Sequence, residues 1–341
     1  MKTPLHLLIC AMMLVGPLVK AESAPQISNT YPPLEDIRKP DLTIAGHDIT
    51  GTGVIAYNPN GRFLAVSAGE KTIRIYDARP GDRVSAELSK TLTGHAAQIL
   101  GLCFSDTNTL VSVSLDQTVK TWDVESGKLL HSADLPLGKQ IKFAIAPRHQ
   151  SIAADSSFGK ARLWNYQTGE VLKTFEPNDS WVSALAFTPD GKLLVIGTDK
   201  GVVRVMDVAT WKVTRTIDLD SPVRSLAASA EHILLGYGDG TVAMLNFADQ
   251  PSVPEVRKQT AAINAVAFSP KGDQFASASA DRTVKMWDTA TLKLLCSMEG
   301  HPAAVLALIF SPNGHKIASI DADGNVNDWS APLPKKTEKM P

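Results

Sequence analysis

One pattern recurs along nearly the whole chain and leaves it few folds to adopt. Ile263 to Asp288 reads INAVAFSPKGDQFASASADRTVKMWD, and Val305 to Ser330 reads VLALIFSPNGHKIASIDADGNVNDWS. The same frame appears at Ile99 to Asp123 and at Val182 to Asp207, with weaker copies ending at Tyr76-Asp77, Trp164-Asn165 and Leu245-Asn246. The equivalent positions are 76, 122, 164, 206, 245, 287 and 329, separated by 46, 42, 42, 39, 42 and 42 residues. Each copy holds four short β-branched, apolar runs divided by Pro-Asp-Gly, Asp-Gly or Thr-Gly turns, which argues for strands and against helices. A four-stranded unit repeated every 40 to 45 residues predicts a propeller, because one small sheet cannot cover its own faces whereas neighbours in a ring can.

The sequence therefore predicts an all-β, seven-bladed β-propeller of four-stranded antiparallel blades over residues 40–330. Ring closure is also legible. No fourth strand follows Trp329, while Asp41 to Ala45 resembles the strands that precede His95 and His301. The N-terminal strand is expected to join the C-terminal blade and protect its edge.

The two ends read differently. Lys2, the apolar stretch Leu5 to Val15, and Val19-Lys20-Ala21 have the order of a secretory signal peptide, residues 1–21, cut after Ala21. The apolar run is shorter than the roughly 20 residues that cross a bilayer, so no integral span is expected after cleavage. The expectation is a periplasmic or secreted protein. Residues 22–39 carry several prolines and read as an extended linker, and 331–341 as a disordered tail.

Composition narrows the chemistry. With 34 basic against 35 acidic side chains, the chain has no cationic excess with which to bind nucleic acid. After removal of the leader two cysteines remain, Cys103 and Cys296, in different copies, and they are expected as free thiols. The histidines make no His-x-x-x-His pair, and no metal or cofactor is expected.

With Gly46-His47, Gly94-His95 and Gly300-His301 before first strands, and Trp122-Asp123 and Trp287-Asp288 closing third strands, the chain resembles the WD-repeat family. The resemblance implies a structural tetrad of His, Ser, Asp and Trp in each complete blade. His95, Ser112, Asp116 and Trp122 match it, as do His301, Ser319, Asp323 and Trp329. Ser277, Asp281 and Trp287 match three positions, with Gln259 at the histidine. The other copies depart: Phe158 and Lys200 hold aspartate slots, Met206 and Leu245 replace tryptophan, and the first copy has Glu70 and Tyr76.

A His, a Ser and an Asp together invite a hydrolase reading. Their recurrence at equivalent positions, always with a tryptophan, assigns them to structure, and the chain has no G-x-S-x-G elbow. Turns such as Asp123 to Lys128 and Asn165 to Glu170 resemble those of quinone-dependent propeller dehydrogenases but lack the following tryptophan. The expected function is that of a non-enzymatic protein-interaction scaffold, a monomeric ring within a complex outside the cytoplasm. An exported enzyme or sensor that takes a quinone-type cofactor, peptide or glycan at the central channel is the alternative. The resemblance implies a contact face where loops enter the first strands. The matching positions are Gln98, Leu100, Leu115, Lys139, Trp181, Arg224 and Asn264.

Overall fold

The computed structural model describes residues 36–45, 53–78, 87–135, 142–146, 150–156, 160–175, 180–219, 221–247, 255–256 and 259–332. The expected signal peptide, most of the linker, Gly46-His47, Phe158, Lys139 and all but the start of the tail lie outside these. Among the described residues every regular element is a strand, and no helix is long and apolar enough to cross a membrane.

Two short strands, β1 (Ile37–Arg38) and β2 (Leu42–Ile44), precede the ring. Blade 1 comprises β3 (Ile55–Tyr57), β4 (Phe63–Ala68), β5 (Thr72–Asp77) and β6 (Leu88–Leu92). Blade 2 follows with β7 (Ile99–Phe104), β8 (Thr109–Ser114), β9 (Thr118–Asp123) and β10 (Leu129–Asp134). Blade 3 is β11 (Phe143–Ala146), β12 (Ser151–Ser156), β13 (Lys160–Asn165) and β14 (Val171–Phe175). Blade 4 is β15 (Val182–Phe187), β16 (Leu193–Thr198), β17 (Val202–Asp207) and β18 (Lys212–Asp218). Blade 5 has β19 (Val223–Ala228), β20 (His232–Tyr237), β21 (Val242–Asn246) and the two-residue β22 (Glu255–Val256). Blade 6 has β23 (Ile263–Phe268), β24 (Gln274–Ser279), β25 (Thr283–Asp288) and β26 (Leu294–Glu299). Blade 7 has β27 (Val305–Phe310), β28 (Lys316–Asp321) and β29 (Val326–Ser330), with β2 as its fourth strand.

The first strands of successive blades pack on one another, β11 on β15, β15 on β19, β19 on β23, β23 on β27 and β27 on β3, and so form the inner wall. Between β7 and β11 the approach is set by Gly101: a Cβ there would lie 1.7 Å from the Phe143 ring. The apolar core is divided into seven clusters, one per seam, each built from two adjacent blades. Second strands are buried on both faces, as in FLAVSA and QFASAS, because each blade face meets a neighbour. This explains why these strands read as continuous apolar runs, a pattern that comes from two-sided burial.

The ring closes as the repeat pattern predicts. Leu42, Thr43 and Ile44 pair antiparallel with Asp328, Asn327 and Val326. Side chains add to the closure: Thr43 Oγ1 donates to Asn327 Oδ1 at 2.7 Å, and Ser330 Oγ to Asp41 Oδ2 at 2.6 Å. Residues 37–38, within the expected linker, also form a strand. β1 lies parallel on the outer edge of β26, with Ile37 opposite Ser297 and Arg38 opposite Met298, so blade 6 has five strands. The close of β26 accommodates this segment, since Pro40 packs where a Cβ on Gly300 would sit, 2.8 Å from Cδ.

One carboxylate on this seam works against closure. Asp328 is 2% exposed, at a β29 position where β5, β13, β17, β21 and β25 carry Ile75, Leu163, Val205, Met244 and Met286. Lys316 Nζ lies 3.1 Å from Asp328 Oδ2 and donates to Asp41 Oδ2 at 2.5 Å. Burial raises Asp328 to about 6, Lys316 offsets part of the rise, and Asp41 adds to it. A carboxyl raised on folding favours the folded state below its ordinary range, a contribution lost as pH rises through about 6. Asp328→Asn should therefore melt above wild type at pH 7.5, and the gap should shrink toward pH 4.5 in calorimetric melts. His95 and His301, present in both proteins, cancel in that difference.

Candidate functional site

Two buried relays place four side chains each in hydrogen-bond register. In blade 2 the turn that holds Asp116 comes after β8, and His95 precedes β7. His95 Nδ1 lies 2.7 Å from Asp116 Oδ2 and Nε2 lies 2.8 Å from Ser112 Oγ, while Trp122 Nε1 donates to Ser112 Oγ at 2.8 Å. With a neutral imidazole protonated at Nδ1, the indole donates to the serine, the serine to the imidazole and the imidazole to the carboxylate. Burial lowers the His95 pKa, which favours the neutral ring, and Asp116 opposes part of the fall. Burial alone would raise Asp116, yet hydrogen bonds from Thr118, Ala96 and His95 outweigh it and hold the carboxyl at about 2.

Blade 7 repeats the arrangement with one change. His301 Nε2 meets Ser319 Oγ at 2.7 Å, and Trp329 Nε1 donates to the same oxygen at 2.7 Å. The carboxylate is Asp321, 2.9 Å from His301 Nδ1, and not Asp323, which is exposed in the following turn. Ser319 and Asp321 are two apart on β28, so both side chains leave the same strand face. Asp321 also accepts from the backbone N–H groups of Asp323 and Asn325 and so builds the turn that carries Asp323.

Gln259 replaces histidine in blade 6 and serves both neighbours. It accepts from Ser277 Oγ at 2.5 Å and donates to Thr283 Oγ1 at 3.0 Å, while Trp287 Nε1 donates to Ser277 at 3.3 Å. Asp281 turns to Thr260 and Thr283 instead. In the other blades the serine slot, set by pairing register, holds Val66, Ala154, Ile196 and Leu235.

The Ser-His-Asp geometry thus occurs twice with triad-like distances, yet Ser112 and Ser319 are fully buried and their oxygens are engaged by indole N–H groups. The accessible chemistry lies elsewhere, at the end of the ring where loops enter the first strands. There the first strands share a bulge: pairing skips from Ile99 to Gly101, Val182 to Ala184, Val223 to Ser225, Ile263 to Ala265 and Val305 to Ala307. The skipped residues are Leu100, Ser183, Arg224, Asn264 and Leu306. A bulge re-aims the side chain it carries, so these five occupy equivalent places at the mouth of the ring. Ser183 and Leu306 were not singled out from sequence, although their repeat position is that of Arg224 and Asn264.

Arg224 Nε donates to Asn264 Oδ1 at 3.3 Å, and Asn264 Nδ2 to the Val305 carbonyl at 2.8 Å, linking blades 5, 6 and 7. Trp181 stands just before β15 and is 41% exposed. Its backbone is clamped by Asp199, which accepts from the Trp181 N–H at 2.8 Å and donates to its carbonyl at 3.0 Å. Leu115 is exposed on the turn of blade 2, its N–H donated to the Gln98 carbonyl, and Gln98 and Leu100 are half-buried beside it. The structure thus brings Arg224 and Asn264 into contact and sets Gln98, Leu100 and Leu115 together on blade 2. Among the described residues no cluster of three or more His, Cys, Asp or Glu is placed to hold a metal, and Cys103 and Cys296 are free thiols.

Asp321→Asn should cost about 1–3 kcal/mol, because it disturbs a buried acceptor of four donors, His301 Nδ1, the Asp323 and Asn325 N–H groups and Asn325 Nδ2. Asp323→Asn should stay within about 0.5 kcal/mol of wild type. Urea denaturation of the two variants reads the difference, and equal effects would return the role to Asp323.

The comparisons agree with this architecture. The model described as "WD domain, G-beta repeat" matches residues 38–77, 86–123, 253–288 and 292–327. That of the "Anaphase-promoting complex subunit 4 WD40 domain" matches residues 143–250. The chain is 26% identical to THO complex subunit 3 of Arabidopsis thaliana, over 61% of this chain and 68% of that one. It is 25% identical to the guanine nucleotide-binding protein subunit beta of Saccharomyces cerevisiae, over 52% and 45%. With the eukaryotic translation initiation factor 3 subunit I of Aspergillus terreus the identity is 26%, over 60% and 66%. The chain spans from under half to about two thirds of the length of these relatives.

Proposed function

Since this chain is a seven-bladed propeller built of WD repeats, we propose that it is a non-enzymatic scaffold whose loop-entry face receives a protein partner. The observation that carries this reading is the division of its polar residues. The Ser-His-Asp sets are sealed beneath tryptophans, whereas Trp181 and Arg224, the residue types that dominate measured interface energies, stand exposed on neighbouring blades. The mouth between them is held by backbone clamps and by the Asn264 link, so little ordering is needed on binding. The relatives named as subunits of larger assemblies support a role within a complex. The export reading rests on Lys2, Leu5 to Val15 and Ala21, and places this scaffold outside the cytoplasm.

The test is affinity capture from the native envelope fraction, with the N-terminal residue of the bait read by mass spectrometry. Glu22 at the N-terminus is expected for the exported form, and an intact Met1 would remove the export part of the proposal. Trp181→Ala with Arg224→Ala should reduce capture more than tenfold, since each such anchor is worth about 2 kcal/mol. The melting temperature should move by no more than a few degrees. Undiminished capture would exclude this face.

A further inference from the structure

We infer that the partner presents an acidic side chain to the mouth of the ring, where Arg224 receives its carboxylate beside a low step at Gly238 on blade 5. The inference rests on the reading of the loop-entry face as the partner's side, and adds the chemistry of the contact.

Among the five bulge positions at the mouth, Leu100, Ser183, Arg224, Asn264 and Leu306, Arg224 alone is charged, and it is exposed. Its guanidinium is already aimed. Nε donates to Asn264 Oδ1 at 3.3 Å, and Asn264 Nδ2 donates to the Val305 carbonyl at 2.8 Å, so both ends of that amide are engaged. The two terminal nitrogens of Arg224 take no acceptor among the described residues. Their paired N–H groups match the two oxygens of a carboxylate. The acids on the neighbouring turns of blades 4, 5 and 6 are committed locally. Asp199 accepts from the Trp181 N–H, Asp239 from the Thr241 N–H and hydroxyl, and Asp281 from Thr260 and Thr283. One cation matches a single negative charge, whereas a phosphate group carries about −1.5 to −2 at pH 7.

The backbone around Arg224 is also lower than elsewhere on the rim. The residue after each second strand is Leu115 in blade 2, Asp199 in blade 4, Ala280 in blade 6 and Ala322 in blade 7. Blade 5 has Gly238 there, next to Tyr237, which pairs with Val223. A Cβ on Gly238 would meet nothing within 4 Å. On the blade 4 side the bulge holds the short Ser183, where blades 2 and 7 hold Leu100 and Leu306. A partner segment can therefore bring its main chain down over Gly238, set its carboxylate on Arg224, and lay an apolar neighbour against Trp181.

The probe is the capped peptide acetyl-Gly-Leu-Asp-Leu-Gly-amide, whose only charge is the aspartate, titrated into the full-length protein. The Arg224 Nε–H and Trp181 indole resonances, assigned from single variants, report binding. Saturable shifts of both are expected, and the same peptide with asparagine should bind about tenfold more weakly. Asn264→Asp keeps an acceptor for Nε at unchanged size but gives Arg224 a fixed counter-charge, so the preference for aspartate should vanish. Gly238→Leu, which gives blade 5 the residue of blade 2, should weaken the aspartate peptide several-fold. No saturable shift, equal binding of the two peptides, or an undiminished preference in Asn264→Asp would overturn the assignment, as would tighter binding of a phosphoserine peptide. In partner capture, Trp181→Ala and Asn264→Asp should each lower the yield. A loss with Trp181→Ala alone discards the acidic contact and keeps the face, and no loss with either discards the face.

Discussion

A blade of four strands has two apolar faces and no means of covering either. Every other property of this molecule follows from that constraint. The seven clusters each draw on two blades, so no blade has a core of its own. Burying a large apolar side chain contributes about 1.5–3 kcal/mol, and Trp122, Trp164, Trp287 and Trp329 all deliver it across a seam, against the preceding blade. Closure of the ring by β2 is then required, because an open ring would leave two faces bare.

The polar relays are a local answer to a problem created by that packing. A buried indole carries an N–H that needs an acceptor, and a serine two positions along the paired strand supplies it. Once serine is there, its own proton needs a partner, which histidine or Gln259 provides. Blades 1, 4 and 5 drop the tryptophan and the serine together, pairing Tyr76 with Val66, Met206 with Ile196 and Leu245 with Leu235 across the same two slots. Such joint replacement is what energetics asks for, since a half-satisfied network costs more than hydrocarbon. Blade 3 is the exception: Trp164 stays while Ala154 takes the serine slot, and its Nε1 has no partner among the described residues.

Much of this was legible beforehand because it is periodic. The spacing of Tyr76, Trp122, Trp164, Met206, Leu245, Trp287 and Trp329 gave the blade count, and the missing strand after Trp329 gave the closure by residues 41–45. What escaped was aperiodic. Asp323 matched Asp116 by distance from serine, but β28 runs to Asp321, and strand alternation puts Asp321 beside His301. Ile37 and Arg38 sit among prolines and read as linker, because the edge that makes them a strand lies some 260 residues away in sequence. Ser183 and Leu306 hold the same bulge as Arg224, but their residue types carry no chemical signal of their own.

The pairing of Leu42 with Asp328 also sets an order of events in time. The strand that finishes the ring is made before every other strand of the seven blades, and its place on blade 7 exists only after the last strand has been made. At the usual pace of about 5–20 residues per second, that interval is roughly 15 to 60 seconds. Through it β2 stays unpaired, while the edge that takes β1 is complete once β26 has been made. The oldest residues of the blades are the last to find their neighbours.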